Sequence, residues 1–85
     1  MASLSLLPLD AVSPEEKSFF RQLGNRIAQL RKDQNLTQQQ LAEALEVTQQ
    51  VVASYEIGRR RVPVSLLPTL ARALAVSVEE LIGEH

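Results

Sequence analysis

The sequence predicts one all-α domain of five helices with no credible strand. Three observations carry that reading. Serine or threonine stands at Ser13, Thr37, Thr48, Ser65 and Ser77, each just ahead of an apolar-periodic stretch, and these are the side chains that satisfy the free N–H groups of a first helical turn. Between those openings the apolar residues return at intervals of three and four, the period of a helix with one buried stripe. Finally, 85 residues are enough for a single small core, and the absence of cysteine removes disulfides, thiolate catalysis and cysteine-rich zinc sites together.

Residues 1–13 read as a leucine-rich arm and residues 14–85 as the helical domain. The arm carries Leu4, Leu6, Leu7 and Leu9 around Pro8 and has no early Lys or Arg. It is too short to span a bilayer and lacks the basic start of a secretory signal, so a cytoplasmic chain with no membrane association is expected. A flexible tail is the plain reading of such an arm, and the sharper one is that so many leucines contact a neighbouring subunit or a protein partner. Ser13-Pro14-Glu15-Glu16 then opens a long helix: a cap, a proline at the first position and a carboxylate three residues on. Phe19, Phe20, Leu23, Ile27 and Leu30 give it a core face and predict an end near Gln34, with Gly24 a local weakness. Thr37 with Gln40 forms the second opening, so the next helix starts at Gln38, burying Leu41, Ala42 and Leu45 and leaving Gln39, Gln40 and Glu43 wet. Thr48 restarts the chain so soon that the turn through Glu46 and Val47 must be tight, and a third helix follows over Gln49–Ile57. Ser65 is expected to cap a fourth helix, with Pro68 tolerated in its first turn and Leu66, Leu67, Leu70, Ala71 and Leu74 inward. Ser77 with Glu80 opens a short fifth helix through Leu81 and Ile82, closed by Gly83.

The chemistry concentrates on the third helix. Val52 and Tyr55 share a face with Glu56 beside them, whereas Gln49, Gln50, Ala53 and Ser54 fall towards the other side. A glutamine amide carries a donor and an acceptor on one planar head, the complement of the N6 and N7 edge of adenine. Glutamines after a threonine cap are also ordinary helix surface, so the pair acquires meaning from its context. Arg59, Arg60 and Arg61 follow the helix directly and are placed to neutralise phosphates. The formal charge is only −1, but Lys17, Arg21, Arg26, Arg31 and Lys32 lie in a stretch without an acid, while the acids gather largely towards the two ends. Catalysis finds no support: the one histidine is the terminal His85, and there is no glycine-rich phosphate loop or pair of acids in a plausible cleft, so no catalytic residue, metal site or cofactor is assigned.

Leu36-Thr37-Gln38 through Leu41-Ala42, then Val47-Thr48-Gln49-Gln50, Val52, Tyr55-Glu56 and Gly58, continuing in Leu70-Ala71, Leu74, Val76-Ser77-Val78 and Leu81, resemble the helix-turn-helix domain of the lambdoid phage repressors and Cro proteins, the XRE family. The resemblance runs from about Arg26 to Gly83, with the helix-turn-helix at residues 37–57, and implies a five-helix lambda-repressor-like domain. It implies that Gln38 contacts the DNA backbone, that Gln49 and Gln50 read bases, and that Ser54 lies one turn further into the groove; Thr48 is assigned to the backbone beside Gln38, with Arg59, Arg60 and Arg61 from their placement after the helix. It also implies an ion pair between Arg31 and Glu56, and a two-fold dimer for which Val76, Val78, Leu81 and Ile82 are the candidates, with core packing a competing role for Leu81. Three positions depart from the family: Glu46 and Ala75 stand where it usually has glycine, and a left-handed backbone there costs about 1 kcal/mol. Ile57 replaces a common polar residue beside Gly58. The function implied is sequence-specific DNA binding by a dimeric transcriptional repressor or autoregulator on a palindromic operator in double-stranded DNA. The alternative is an antitoxin-like or other protein-interaction module, engaged through the arm or the C-terminal helices, with DNA binding secondary.

Overall fold

The structure is a computed structural model that describes residues 13–83; the leucine-rich arm, the partner contacts considered for it, and the terminal His85 lie outside the described residues. The elements follow in the order α1 (Pro14–Asp33), α2 (Gln38–Leu45), α3 (Gln49–Glu56), a 3₁₀ turn (Val64–Leu66), α4 (Leu67–Ala73) and α5 (Val78–Ile82). No described residue is in a strand.

Four of the five α-helices open on a hydroxyl that accepts from the N–H three residues on: Ser13 from Glu16, Thr37 from Gln40, Thr48 from Val51 and Ser77 from Glu80. At Thr37 and Ser77 the side chain of the third residue returns to the cap N–H, at 2.8 and 3.1 Å, completing both capping boxes. The fifth opening behaves differently. Ser65 lies inside the 3₁₀ turn and caps nothing, and α4 begins at Leu67 without a side-chain cap. The cause is local. A cap at Ser65 would need the N–H of Pro68, and proline has none.

The helix ends also share one construction. The N–H groups of Leu36, Val47, Arg59 and Val76 donate to the carbonyls of Arg31, Ala42, Ser54 and Ala71 at 2.9–3.0 Å, each across one residue in the left-handed conformation. Those residues are Asn35, Glu46, Gly58 and Ala75, with φ of 57°, 58°, 76° and 61°. The αL geometry expected at Glu46 and Ala75 is therefore present, and both carry a Cβ where the backbone favours glycine.

The core is continuous across all five helices. Leu23 and Ile27 of α1 meet Leu41, Ala42 and Leu45 of α2, Val52 and Tyr55 of α3, Leu70 and Ala71 of α4 with Leu74 just past its end, and Leu81 of α5. Val62, from the loop after α3, is buried with them and was not foreseen from the sequence. Of the aromatic pair expected inside, Phe20 packs against the core, but Phe19 is 45% exposed and only meets Phe20 edge-on. The two residues point 100° apart on the helix, so the buried stripe that takes Leu23 and Ile27 admits one of them.

Gly24 has a role that a helix-weakening residue would not have. It is buried where α1 crosses α3, and a Cβ there would overlap the Tyr55 carbonyl oxygen and lie 2.8 Å from that of Glu56. Gly58 repeats the arrangement one step further along, where a Cβ would stand 2.7 Å from the Arg21 Cα. The backbones thus approach closely with no side chain between them.

Two predictions follow from this frame. Gly24→Ala, which in an isolated helix would stabilise by about 1 kcal/mol, is expected to destabilise by at least ~2 kcal/mol through overpacking, read as a lowered midpoint in urea. Ala75→Gly and Glu46→Gly are each expected to raise stability by roughly 0.5–1 kcal/mol, the left-handed strain removed less the extra freedom glycine gives the unfolded chain. Thermal unfolding of the single variants checks the sign.

Candidate nucleic-acid interface

Alpha-3 divides sharply into a buried and an outward side. Val52, Tyr55 and Glu56 face inward, whereas Gln49 and Gln50 are exposed, Ala53 and Ser54 are half-buried, and Ile57 follows exposed at the C-terminal end. With Val52 and Tyr55 held in the core, the helix cannot roll to hide its amides. Burial pushes the Tyr55 hydroxyl above the ordinary phenol range, with the nearby Arg60 guanidinium opposing the shift, so the phenol stays neutral at physiological pH.

The inward side is fixed by one buried ion pair. Arg31 at the end of α1 presents its Nε and Nη2 to the two carboxylate oxygens of Glu56 at 2.6 and 3.1 Å, and the two side chains are only 11% and 5% exposed. Its Nη1 donates to the Leu36 carbonyl at 2.8 Å, so the same guanidinium also holds the loop leading into α2. Gln38, the first residue of α2, donates its side-chain amide to Glu56 Oε1 at 3.0 Å. A buried carboxylate is costly unless its lone pairs are met, and here three N–H groups meet it.

Gln38 is therefore engaged within the protein, a partnership its sequence position did not reveal. One amide hydrogen is committed to Glu56 and the second is left over. Thr48 is in the same condition: its hydroxyl oxygen accepts from Val51, which leaves the O–H hydrogen to donate. Arg59 and Arg60 are exposed beyond the end of α3, while Arg61 is half-buried with its Nη2 3.9 Å from Glu16. The expected site residues thus fall into two groups. Gln49, Gln50, Arg59 and Arg60 are free at the surface, and Gln38, Thr48 and Arg61 already have intramolecular partners. Of the dimer candidates, Leu81 is fully buried in the chain's own core and offers no surface to a second copy, whereas Val76, Val78 and Ile82 are half-buried. Among the described residues no cluster of three or more His, Asp or Glu could hold a metal ion, and no described helix is long and apolar enough to cross a membrane.

Two short helices joined by a tight left-handed turn, with a polar outward face on the second and cations just beyond it, define a helix-turn-helix domain of the nucleic-acid-binding class. The helix-turn-helix family model matches residues 27–81, and the chain belongs to that family. It is similar to the immunity repressor protein of Bacillus phage phi105, 37% identical over 63 residues, which are 74% of this chain but 44% of the repressor. It is also similar to the uncharacterized HTH-type transcriptional regulator y4dJ of Sinorhizobium fredii, 40% identical over 71% of this chain and 78% of that protein. Among solved structures, the restriction-modification controller protein C.AhdI from Aeromonas hydrophila superposes with a TM-score of 0.71 at 30% identity, over 75% of this chain and 97% of that one.

Removing one member of the buried pair strands the other. Glu56→Ala is expected to cost roughly 3–5 kcal/mol of stability, and replacing both Arg31 and Glu56 by apolar residues of similar volume is expected to recover much of that loss. Urea unfolding of the single and double variants checks the pair.

Proposed function

We propose that this protein is a sequence-specific DNA-binding transcriptional regulator, a dimeric repressor or autoregulator that reads a palindromic operator through the major groove. The observation that carries the reading is the exposed glutamine pair at the N-terminal end of α3, held outward by a face that is locked into the core. A recognition helix reads base edges with its N-terminal residues, and the bidentate amides of Gln49 and Gln50 suit adenine. Ser54, half-buried one turn on, supplies a short hydroxyl at the edge of that surface.

The surrounding groups supply position and affinity. The spare hydrogens of Gln38 and Thr48 sit at the N-terminal ends of α2 and α3, where backbone N–H groups and the helix dipole also favour a phosphate. Arg59 and Arg60 add contacts that any duplex would satisfy. Residues 14–85 form the binding domain in this reading. Dimerisation through Val76, Val78 and Ile82 would set two copies of α3 about one DNA turn apart, ~34 Å. The similarity to a phage immunity repressor, over less than half of that protein, supports repression as the outcome of binding.

Selection of bound duplexes from a random pool tests the whole proposal. A palindromic sequence is expected to be enriched, and Gln49→Ala is expected to weaken its binding by about 1–3 kcal/mol while relaxing the preference at one base per half-site. Arg60→Ala is expected to weaken all sequences alike and to flatten the salt dependence by about one unit. Equal losses of discrimination from both variants would place the reading face elsewhere.

A further inference from the structure

The chain leaving α3 travels back along α1. Successive contacts run from Arg31 with Glu56, through Gly24 against the Tyr55 and Glu56 carbonyls and Gly58 against Arg21, to Arg61 beside Glu16 in the first turn of α1. The three arginines are consequently unlike one another. Arg59 and Arg60 are exposed and make no ion pair among the described residues. Arg61 is turned onto α1, its Nη2 3.9 Å from the Glu16 carboxylate, the two side chains 34% and 55% exposed. Its Nε is buried and has no hydrogen-bond partner among the described residues.

That arrangement holds the arginine weakly on both counts. An ion pair this long and this exposed contributes little, and an N–H buried without an acceptor counts against the pose. A phosphate oxygen would offer a closer anion and let the Nε regain a partner. We propose that Glu16 is a positioning residue that withholds Arg61 from the DNA backbone, lowering sequence-independent affinity and thereby sharpening discrimination between operator and bulk DNA. Resting on the DNA-binding reading above, the idea adds an acid on α1 as a determinant of specificity. A cation that reaches phosphates binds every duplex, so an intramolecular anion that competes for it acts mainly on non-specific complexes. In the operator complex the base contacts fix how the domain sits on the duplex and Arg61 stays on Glu16, whereas a non-specific complex, free to shift, would gain from any phosphate that an unpaired Arg61 could reach.

The test compares salt-dependent affinity for a random-sequence duplex and for the selected operator, using the full chain. Glu16→Gln keeps the side chain's size and leaves the Ser13 cap on the Glu16 backbone N–H in place. It is expected to tighten random-duplex binding by about two- to five-fold and to steepen that salt slope by up to one unit, with less than about two-fold effect on the operator. On an Arg61→Ala background the same substitution is expected to have no effect. Glu15→Gln removes an equal charge from the neighbouring position and is expected to leave the slope unchanged. Equal gains from Glu15→Gln and Glu16→Gln would overturn the proposal in favour of net charge alone. An unaltered slope in Glu16→Gln, together with Arg61→Ala lowering the melting temperature but not the slope, would make Arg61 a structural brace and sink it as well. In either case Arg60→Ala flattening the slope leaves the DNA-binding reading intact, whereas wild type that binds neither duplex defeats both.

Discussion

The guanidinium of Arg31 joins three parts of the chain at one point. It reaches Glu56 at the last residue of α3 and the Leu36 carbonyl in the loop before α2, while Gln38 completes the carboxylate from the first residue of α2. One buried charge therefore fixes α1, α2 and α3 at a common corner. The net free energy of such a pair is small, because desolvation offsets most of its attraction. Its effect lies in geometry: an apolar contact would tolerate sliding, whereas two parallel N–H···O bonds permit one orientation. The outward end of α3, Gln49, is about two helical turns from that corner at Glu56, near enough for its direction to be set there.

Around this corner the fold is built from repeated local devices. Hydroxyl caps start four helices and left-handed residues close the ends, so very short helices can terminate cleanly without long connections. Helices of five to eight residues would not persist alone in water; each is completed by its neighbours through the shared core. The binding surface thus belongs to the whole domain and has no independent existence as a peptide.

Much of this was legible in the sequence because it is locally encoded. Thr37 with Gln40 and Ser77 with Glu80 specify a helix start within four residues, and the left-handed conformations at Glu46 and Ala75 are expected through the resemblance to a family that usually has glycine at both positions. What escaped depends on partners distant in sequence. Gly24 reads as a weakness until α3 is laid across it, although its place between Leu23 and Ile27 on the buried stripe was a usable sign. Gln38 is assigned from sequence only to the DNA backbone, and its bond to Glu56, eighteen residues away, comes into view only when the two are brought together. The Ser65 cap failed for a reason that was in plain view, the missing N–H of Pro68. Phe19 shows the ordinary ambiguity of two adjacent large residues, of which a narrow stripe can take one.

The close approach at Gly24 also bears on how such a domain changes over generations. Because α1 and α3 meet backbone to backbone, the angle of α3 does not depend on the size of any side chain at the crossing. Gln49 and Gln50 are exposed away from that crossing, so substitutions there change the outward face of α3 and leave the crossing undisturbed. On the base-reading role proposed for them, new target preferences would arise by single steps on an unchanged chassis, and duplicated copies would drift apart in what they recognise while remaining equally well folded.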